Sequence, residues 1–338
     1  MTYGSKAIIG NCGEKTVAIL GATGAVGKEA LSILEEAGFP REQLRLFASA
    51  RSRGKRLPYG GGTLTVEEAT DDALIHCGAD IILGMTGAAE ALRFAGAIRE
   101  SGAVFVDNSS AFRLEKEVPL VIPEVNAADI AAHRGILANP NCSTIITLTA
   151  VAPIASLSRI ESMVVTTYQA VSGAGTGGIL SLEAETEAAC RGEALPPPAC
   201  FPYPIAGNLI PQIGDMAEGG YTTEEWKMQK EGCKILHLPE LRVSCTCVRV
   251  PIRRCHSISV TLRTFDALSP EEVTGALAEA DGVVLCTHPM PILAEGREEV
   301  FVGRIRKGVA DNELSLFCCG DQLRKGAAGN ALQIAGSI

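Results

Sequence analysis

Thr16-Val17-Ala18-Ile19-Leu20-Gly21-Ala22-Thr23-Gly24-Ala25-Val26-Gly27 is the stretch that decides the fold. Its first five residues read as a buried strand. Glycine then recurs at every third position, Gly21, Gly24 and Gly27. An amphipathic helix follows through Leu31, Leu34 and Ala37, closed by Gly38. A glycine turn between strand and helix suits a dinucleotide. The glycines permit a tight turn and the approach of a pyrophosphate, and the helix N-terminus receives its charge. A glycine pattern alone says little; the strand before it and the helix after it supply the context.

Working outward, Leu44-Arg45-Leu46-Phe47 reads as a second strand. Ile81-Ile82-Leu83, Val104-Phe105-Val106 and Ile136-Leu137 follow at spacings that leave room for helices. Repeated strand–helix units predict an α/β domain with a doubly wound, Rossmann-type parallel sheet. NAD-binding folds of this kind place an acid at the end of the second strand, for the ribose hydroxyls. Here that end reads Ala48-Ser49-Ala50-Arg51-Ser52-Arg53-Gly54-Lys55, with three cations and no acid. Such a loop receives a 2′-phosphate, so NADP is favoured over NAD.

Cys142 falls in Ala138-Asn139-Pro140-Asn141-Cys142-Ser143-Thr144, between the strand-like Gly135–Ala138 and the apolar run Ile145–Val151. The thiol is therefore expected at a helix start, where unpaired amides and the helix dipole favour thiolate. An inert buried cysteine is the competing account. A nicotinamide cofactor and an activated thiol together suggest aldehyde–acyl chemistry through a thioester. Of the five histidines, only His256 lies at a strand junction beside a basic, polar cluster, which makes it the candidate base.

Beyond Cys142 the pattern changes. Ser162–Tyr168, Val243–Val250 and Ser257–Phe265 read as long strands, and Ser269-Pro270-Glu271-Glu272 opens a capped helix. This predicts an α+β domain with a mixed or antiparallel sheet. The expected division is 15–142 for the nucleotide domain and 143–321 for the second domain. A last helix from about Gln322 to Ile334 packs back on the first. Residues 196–215, rich in Pro and Gly, read as surface loop.

The 338 residues suffice for two domains. Charged residues make up 20%, apolar residues 46%, and the net charge is −9. That balance argues against a nucleic-acid or membrane-surface partner. No apolar run reaches the ~18 residues of a membrane span. The first 14 residues lack the apolar block of a signal peptide and read as a loose extension. Twelve cysteines in such a chain fit reduced thiols in the cytoplasm. Cys245, Cys247, Cys255 and His256 lack zinc spacing, so no metal is expected. Glu224 and Lys227 share one face of a helix, where an ordinary i,i+3 ion pair is a sufficient account. Arg249, on a strand face of small apolar side chains, requires an anion, either a ligand carboxylate or an internal acid.

The sequence resembles the aspartate-β-semialdehyde dehydrogenase family over nearly all of residues 16–338. The resemblance rests on VAILGATGAVG, ASARSRGK, FVDNSSAFR, PLVIPEVN, NPNCST, TYQAVSGAG, FPYPIAGNLIPQIG, EEWKMQKE, TCVRVP, HS and GDQLRKGAAGNALQIA. N-acyl-γ-glutamyl-phosphate reductase shares the layout but has a different cysteine motif. The resemblance implies NADPH-dependent reductive dephosphorylation of L-aspartyl-4-phosphate to L-aspartate 4-semialdehyde. That reaction stands at the branch to lysine (through diaminopimelate), threonine and methionine. A homodimer or homotetramer is implied.

The resemblance also assigns roles. Cys142 is the nucleophile, His256 the acid–base group, and Gln169 positions the substrate. Arg249 holds its carboxylate and Glu224 its amino group; Arg113 and Lys227 hold phosphate. Gly21, Thr23, Gly24, Ala25, Val26 and Gly27 surround the pyrophosphate, and Arg51 and Ser52 the 2′-phosphate. Ser172 and Gly173 lie near the nicotinamide, and Asn330 reaches the cofactor from the last helix. One departure is Gly84-Met85-Thr86-Gly87, where the family usually has Phe-Ser-Ala-Gly; Thr86 still offers a hydroxyl there. Another acyl-phosphate or acyl-CoA reductase, or a non-catalytic NADP-binding paralogue, are the alternatives. The first has no need of both Glu224 and Arg249, and the second none of Cys142, Gln169 and His256 together.

Overall fold

The computed structural model describes residues 9–338. The chain falls into two compact units. One ends at Asn141 and takes back residues 326–338; the other runs from Cys142 to Lys325. The expected boundaries move by one residue at the first junction and four at the second, so Cys142 opens the second unit.

The first unit is built on seven strands. They are β1 (Val17–Leu20), β2 (Leu44–Ala48), β3 (Arg56–Tyr59), β4 (Gly62–Glu68), β5 (Ile81–Gly84), β6 (Val104–Asp107) and β7 (Ile136–Ala138). Their order is β3-β4-β2-β1-β5-β6-β7, parallel throughout except for β3. Val17 lies opposite Leu44 on one side and Ile81 on the other. Both faces of β1 are covered, which explains its unbroken apolar run. Val17 and Ile19 join a core with Leu34, Leu332 and Ile334. Ala18 and Leu20 join the opposite core with Ile82, Phe94 and Phe105. Each Ile or Leu buried in this way contributes roughly 1.5–3 kcal/mol, and Ile19→Ala would cost about 2–5 kcal/mol.

The β3–β4 hairpin was not expected from the sequence. Its turn uses Gly60 and Gly61 at φ 57° and 72°, the positive angles a two-residue hairpin requires. Of the expected loose extension, residues 1–8 lie outside the described residues, and the remainder differs from that reading. Gly10–Glu14 forms a 3₁₀ turn, and Ile9 and Cys12 enter the core beside the last helix. A Cβ at Gly10 would fall 2.4 Å from the Gly336 carbonyl oxygen. That last helix is shorter than expected. A π turn spans Arg324–Ala328, and α-helix covers only Gly329–Gly336.

The second unit opens with the helix Cys142–Ala155, buried on nearly every side. Its six strands are β8 (Ile160–Gln169), β9 (Arg242–Arg249), β10 (His256–Thr264), β11 (Val283–Leu285), β12 (Val300–Lys307) and β13 (Glu313–Gly320). The order is β11-β12-β13-β10-β8-β9. Two neighbouring pairs are parallel and three antiparallel. Capping boxes at Thr222/Glu225 and Ser269/Glu272 fix the starts of two helices. The segment 196–215 is irregular and largely exposed, yet it is not a simple surface loop. Ile205 and Ile210 are buried with Val171, and Ile210 bridges Arg249. Among the described residues, no helix is long and apolar enough to cross a membrane.

Candidate active site

In the first unit, a cleft of about 500 Å³ opens at the C-terminal ends of the central strands, lined by Gly21, Thr23, Gly24, Arg51, Thr86 and Arg93 among others. Gly21 has φ +94°, and a Cβ there would lie 2.4 Å from the Met85 carbonyl oxygen. A Cβ at Gly27 would lie 2.3 Å from the Gly21 oxygen. Gly27 thus lets the helix Ala25–Glu36 pack on the turn, with Gly24 as its N-cap. The amides of Ala25 and Val26 have no intrahelical acceptor and offer an anion site. Thr23 and Ser52 hydroxyls lie 3.3 Å apart, and Arg51 is exposed beside them. Among the described residues, the Thr86 hydroxyl is buried without a partner. A close backbone approach, free helix amides, an exposed arginine and an orphaned hydroxyl fit a dinucleotide carrying an extra phosphate.

Sequence reasoning missed Glu68 and Glu90 on this cleft. Glu68 pairs with Arg53 at 3.5 Å, which leaves Arg51 and Lys55 in that loop, and of these Arg51 lines the cleft.

Asn330 does not line the cleft. It is fully buried, and its amide nitrogen donates to the Val121 oxygen at 2.9 Å and to Asn139 Oδ1 at 2.7 Å. Arg113 is also buried and donates to the Asn139 and Asn108 carbonyl oxygens, each at 2.9 Å. Both residues brace the turn that leads to Cys142. Asn139 continues the brace to Asn108 Oδ1 at 2.6 Å. Asn139 was missed as a site support; an asparagine three residues before a candidate nucleophile was the available signal.

In the second unit, sheet register assembles the cluster. Gln169 ends β8 and lies directly opposite Arg249, which ends β9. His256 begins β10, whose next residue, Ser257, faces Tyr168 of β8. Three adjacent strands therefore deliver three polar side chains to one end of the sheet. Gln169, Arg249 and His256 are 1%, 6% and 0% exposed. Arg249 Nη1 donates to the Ala170 oxygen at 2.7 Å, and its guanidinium lies 5.7 Å from the Phe201 ring centroid. The Ala170 N–H donates to His256 Nδ1 at 3.1 Å. Gln169 Nε2 approaches Glu224 Oε1 at 3.4 Å. Lys227 Nζ pairs with Glu224 Oε2 at 2.7 Å, the ion pair that helical spacing alone anticipates.

Cys142 is the first residue of its helix and is half-buried. Burial lowers the Arg249 pKa; the nearby Cys142 and then Glu224 oppose that shift. Burial and then the Arg249 charge push His256 down to about 3, so it is neutral in the working range. Gly173 has no room for a side chain, since a Cβ would sit 2.9 Å from Arg249 Nη1 and 3.2 Å from His256 Cε1.

Ser172 is buried and accepts from the Gln322 amide. Gln322 Oε1 in turn accepts the Cys255 N–H at 2.7 Å. Cys255 has φ +75°, costly for a residue with a side chain. Gln322 was not singled out from the sequence; nothing local marks it.

Residues 16–133 match the semialdehyde dehydrogenase NAD binding domain, and residues 151–325 match the semialdehyde dehydrogenase dimerisation domain. Aspartate-semialdehyde dehydrogenase of Aquifex aeolicus (strain VF5) is 46% identical over 328 residues, covering 94% of this chain and 96% of the relative. The chain belongs to the aspartate-semialdehyde dehydrogenase family. Within that family, the Bacillus subtilis (strain 168) enzyme is 42% identical, covering 95% of this chain and 96% of its own length. Aspartate semialdehyde dehydrogenase II from Vibrio cholerae, solved in complex with ASA, superposes with a TM-score of 0.91 at 40% identity, covering 95% of this chain and 97% of that one. A Candida albicans family structure with NADP has a TM-score of 0.73 at 25% identity, covering 96% and 98%.

Proposed function

We propose that this chain reduces L-aspartyl-4-phosphate to L-aspartate 4-semialdehyde and phosphate, with NADPH as reductant. The observation that carries this reading is the buried set Gln169, Glu224, Arg249 and His256 in the unit that Cys142 opens. A buried guanidinium fits the substrate α-carboxylate, as a planar fork suits bidentate pairing. Glu224 fits the α-amino group. An acyl-phosphate or acyl-CoA lacking those two groups would leave both side chains without a ligand. Cys142 attacks the acyl carbon, and the phosphate leaves with its bonding electron pair. Lys227 and Arg113 balance the phosphate charge. NADP fits Thr23 to Val26 at the pyrophosphate, Arg51 and Ser52 at the 2′-phosphate, Thr86 along the cleft, and Ser172 and Gly173 at the nicotinamide end. The bound nicotinamide supplies the hydride. Asn330 then serves as a scaffold rather than a direct contact. The dimerisation domain supports a homodimer or homotetramer, and twelve free cysteines fit a reducing cytoplasm.

The test is phosphate-dependent reduction of NADP by L-aspartate 4-semialdehyde, followed at the nicotinamide absorbance. Turnover that needs no phosphate, or that prefers an aldehyde without amino and carboxylate groups, would sink the reading.

A further inference from the structure

β9 is the edge strand of its sheet, and an edge strand carries N–H groups that no neighbouring strand satisfies. Side chains of the helix Thr223–Ile235 meet two of them. The Cys247 N–H donates to Glu225 Oε1 at 2.9 Å, and the Val243 N–H to Gln229 Oε1 at 2.5 Å. A third, on Arg249, donates to the Ile210 oxygen at 2.8 Å. Glu225 has a second task. Its Oε2 accepts the Thr222 N–H at 2.7 Å and closes the capping box. One buried carboxylate thus ties the first turn of the helix to the strand. We propose that Glu225 is a positioning residue that sets the spacing between Glu224 and Arg249, and through it the preference for a substrate carrying both an amino and a carboxylate group. This rests on the reaction proposed above and specifies what holds its two amino-acid readers apart.

Both readers lie close to this tie. Glu224 precedes Glu225 by one residue, a turn of about 100° and a rise of about 1.5 Å along the helix. Glu225 reaches to the strand edge, and Glu224 is turned instead toward Gln169, whose Nε2 approaches it at 3.4 Å. Arg249 follows Cys247 by two residues, about 6.6 Å along the same face of the strand. Gln229 stands one helical turn beyond Glu225, and Val243 four residues before Cys247. That second contact fixes the direction of the helix; the first fixes its distance from the site.

The spacing needs a fixed support because the two readers carry opposite charge. Glu224 and Arg249 act on one another out of water, where attraction is strong. A helix free to slide would close on the strand, pair them directly and fill the room for a ligand. Instead Glu224 rests on Lys227 and Gln169, and Arg249 on the Ala170 oxygen. Both Glu225 oxygens take a main-chain N–H, the acceptor-only behaviour of an ionised carboxylate. Glutamine in its place keeps the size but turns one acceptor into an NH₂ donor, set against an N–H. Aspartate keeps both acceptors and the negative charge that a helix N-terminus favours. It is one methylene too short to span helix and strand together.

The experiment measures discrimination between L-aspartate 4-semialdehyde and 4-oxobutanoate, the same aldehyde without the amino group. It compares the native protein with Glu225→Gln, Glu225→Asp and Gln229→Ala. Phosphate and NADP are saturating, and the poorer substrate is followed with enzyme in excess. The native protein should strongly prefer the semialdehyde. Both Glu225 variants should lose about tenfold or more of that preference, chiefly through a raised KM for the semialdehyde. Its kcat should stay within about threefold, because Cys142, Gln169 and His256 lie on other elements. Gln229→Ala should lower the melting temperature and keep the preference. Hydrogen exchange at the Cys247 amide should quicken in both Glu225 variants and not in Gln229→Ala. Glu225→Asp keeps the charge at the helix start, so it carries the test where Glu225→Gln does not fold. An unchanged preference in a folded Glu225 variant, an equal loss of rate on both aldehydes, or the same loss of preference in Gln229→Ala would overturn the proposal. Failure of the native protein to turn over L-aspartate 4-semialdehyde and phosphate would remove the reaction reading and the proposal together. A native preference that survives the loss of Glu225 removes the proposal alone.

Discussion

The glycine turn of the first unit and the strand-end cluster of the second both prepare a place for charge, but from different materials. At Gly21 and Gly27 the site exists because no side chain is present; carbonyl oxygens lie within 2.4 Å of where a Cβ would stand. Main-chain amides of the helix Ala25–Glu36 face the space, and their polarity is independent of pH. In the second unit the polar groups are side chains, nearly all out of water, and each is held by one or two partners. Desolvation shifts their pKa values there. The first kind of site tolerates changes in solution conditions. The second depends on every neighbour.

The largest effect that tests this contrast is loss of the thiol. Cys142→Ala should lower turnover by about 10⁴-fold or more while NADP affinity, read by nucleotide fluorescence, stays within about twofold. Joint loss of both would show that the two regions are not separable. Alkylation that inactivates the protein while marking only another cysteine would displace Cys142 as nucleophile.

Arg249→Lys follows. It keeps the charge and loses the fork, so kcat/KM for the semialdehyde should fall about tenfold to a thousandfold, roughly 1.4–4 kcal/mol. The dependence on phosphate should change much less. Kinetics with the two substrates varied independently decide it, and the reverse pattern would exchange the two anion sites.

In the first unit, Arg51→Ala should weaken NADP binding by roughly 1.5–3 kcal/mol and leave NAD nearly unchanged. Titration of both nucleotides measures this. An equal effect on both would mean that the arginine does not read the 2′-phosphate.

The smallest effect is on stability. A histidine held at about 3 when folded takes a proton below about 6.5 only when unfolded. Its contribution is therefore level above that pH, and stability falls as pH drops from 6.5 toward 3. Between pH 7 and 5.5 the loss should be about 1 kcal/mol, and His256→Gln should remove that part of the slope in denaturant titrations. An unchanged slope would mean that the ring is protonated in the folded state.

Much of this was legible in the sequence where the signal is local. The strand–turn–helix at residues 16–38, the strand cores and the Ser269 cap all announce themselves within a few residues. The Gly60-Gly61 turn was equally local and was passed over, because Arg56–Tyr59 includes Pro58 and reads poorly as a strand; on an edge a proline costs little. What was not legible was register. Nothing near residue 169 says that it lies opposite residue 249. Arg113 and Asn330 carried the right residue types for ligand contact, yet the fold places Arg113 on main-chain carbonyls and Asn330 on the Val121 carbonyl and the Asn139 side chain. Lys227 shows the same tension, since its nearest anion is Glu224 on its own helix. Gln322 was invisible because its partners, Ser172 and Cys255, are far away along the chain.

Ala170 touches both Arg249 and His256, and does so only through its main chain. Its methyl group is fully buried and makes none of the polar contacts. Exchanging the side chain at this buried position would therefore report on local packing, since glycine and alanine supply the same N–H and oxygen. Its contribution would surface only if the atom itself were exchanged, with an ester oxygen in place of the amide nitrogen by chemical ligation or nonsense suppression. Part of what tunes this centre thus lies outside the genetic alphabet, in a peptide bond that nearly every substitution preserves.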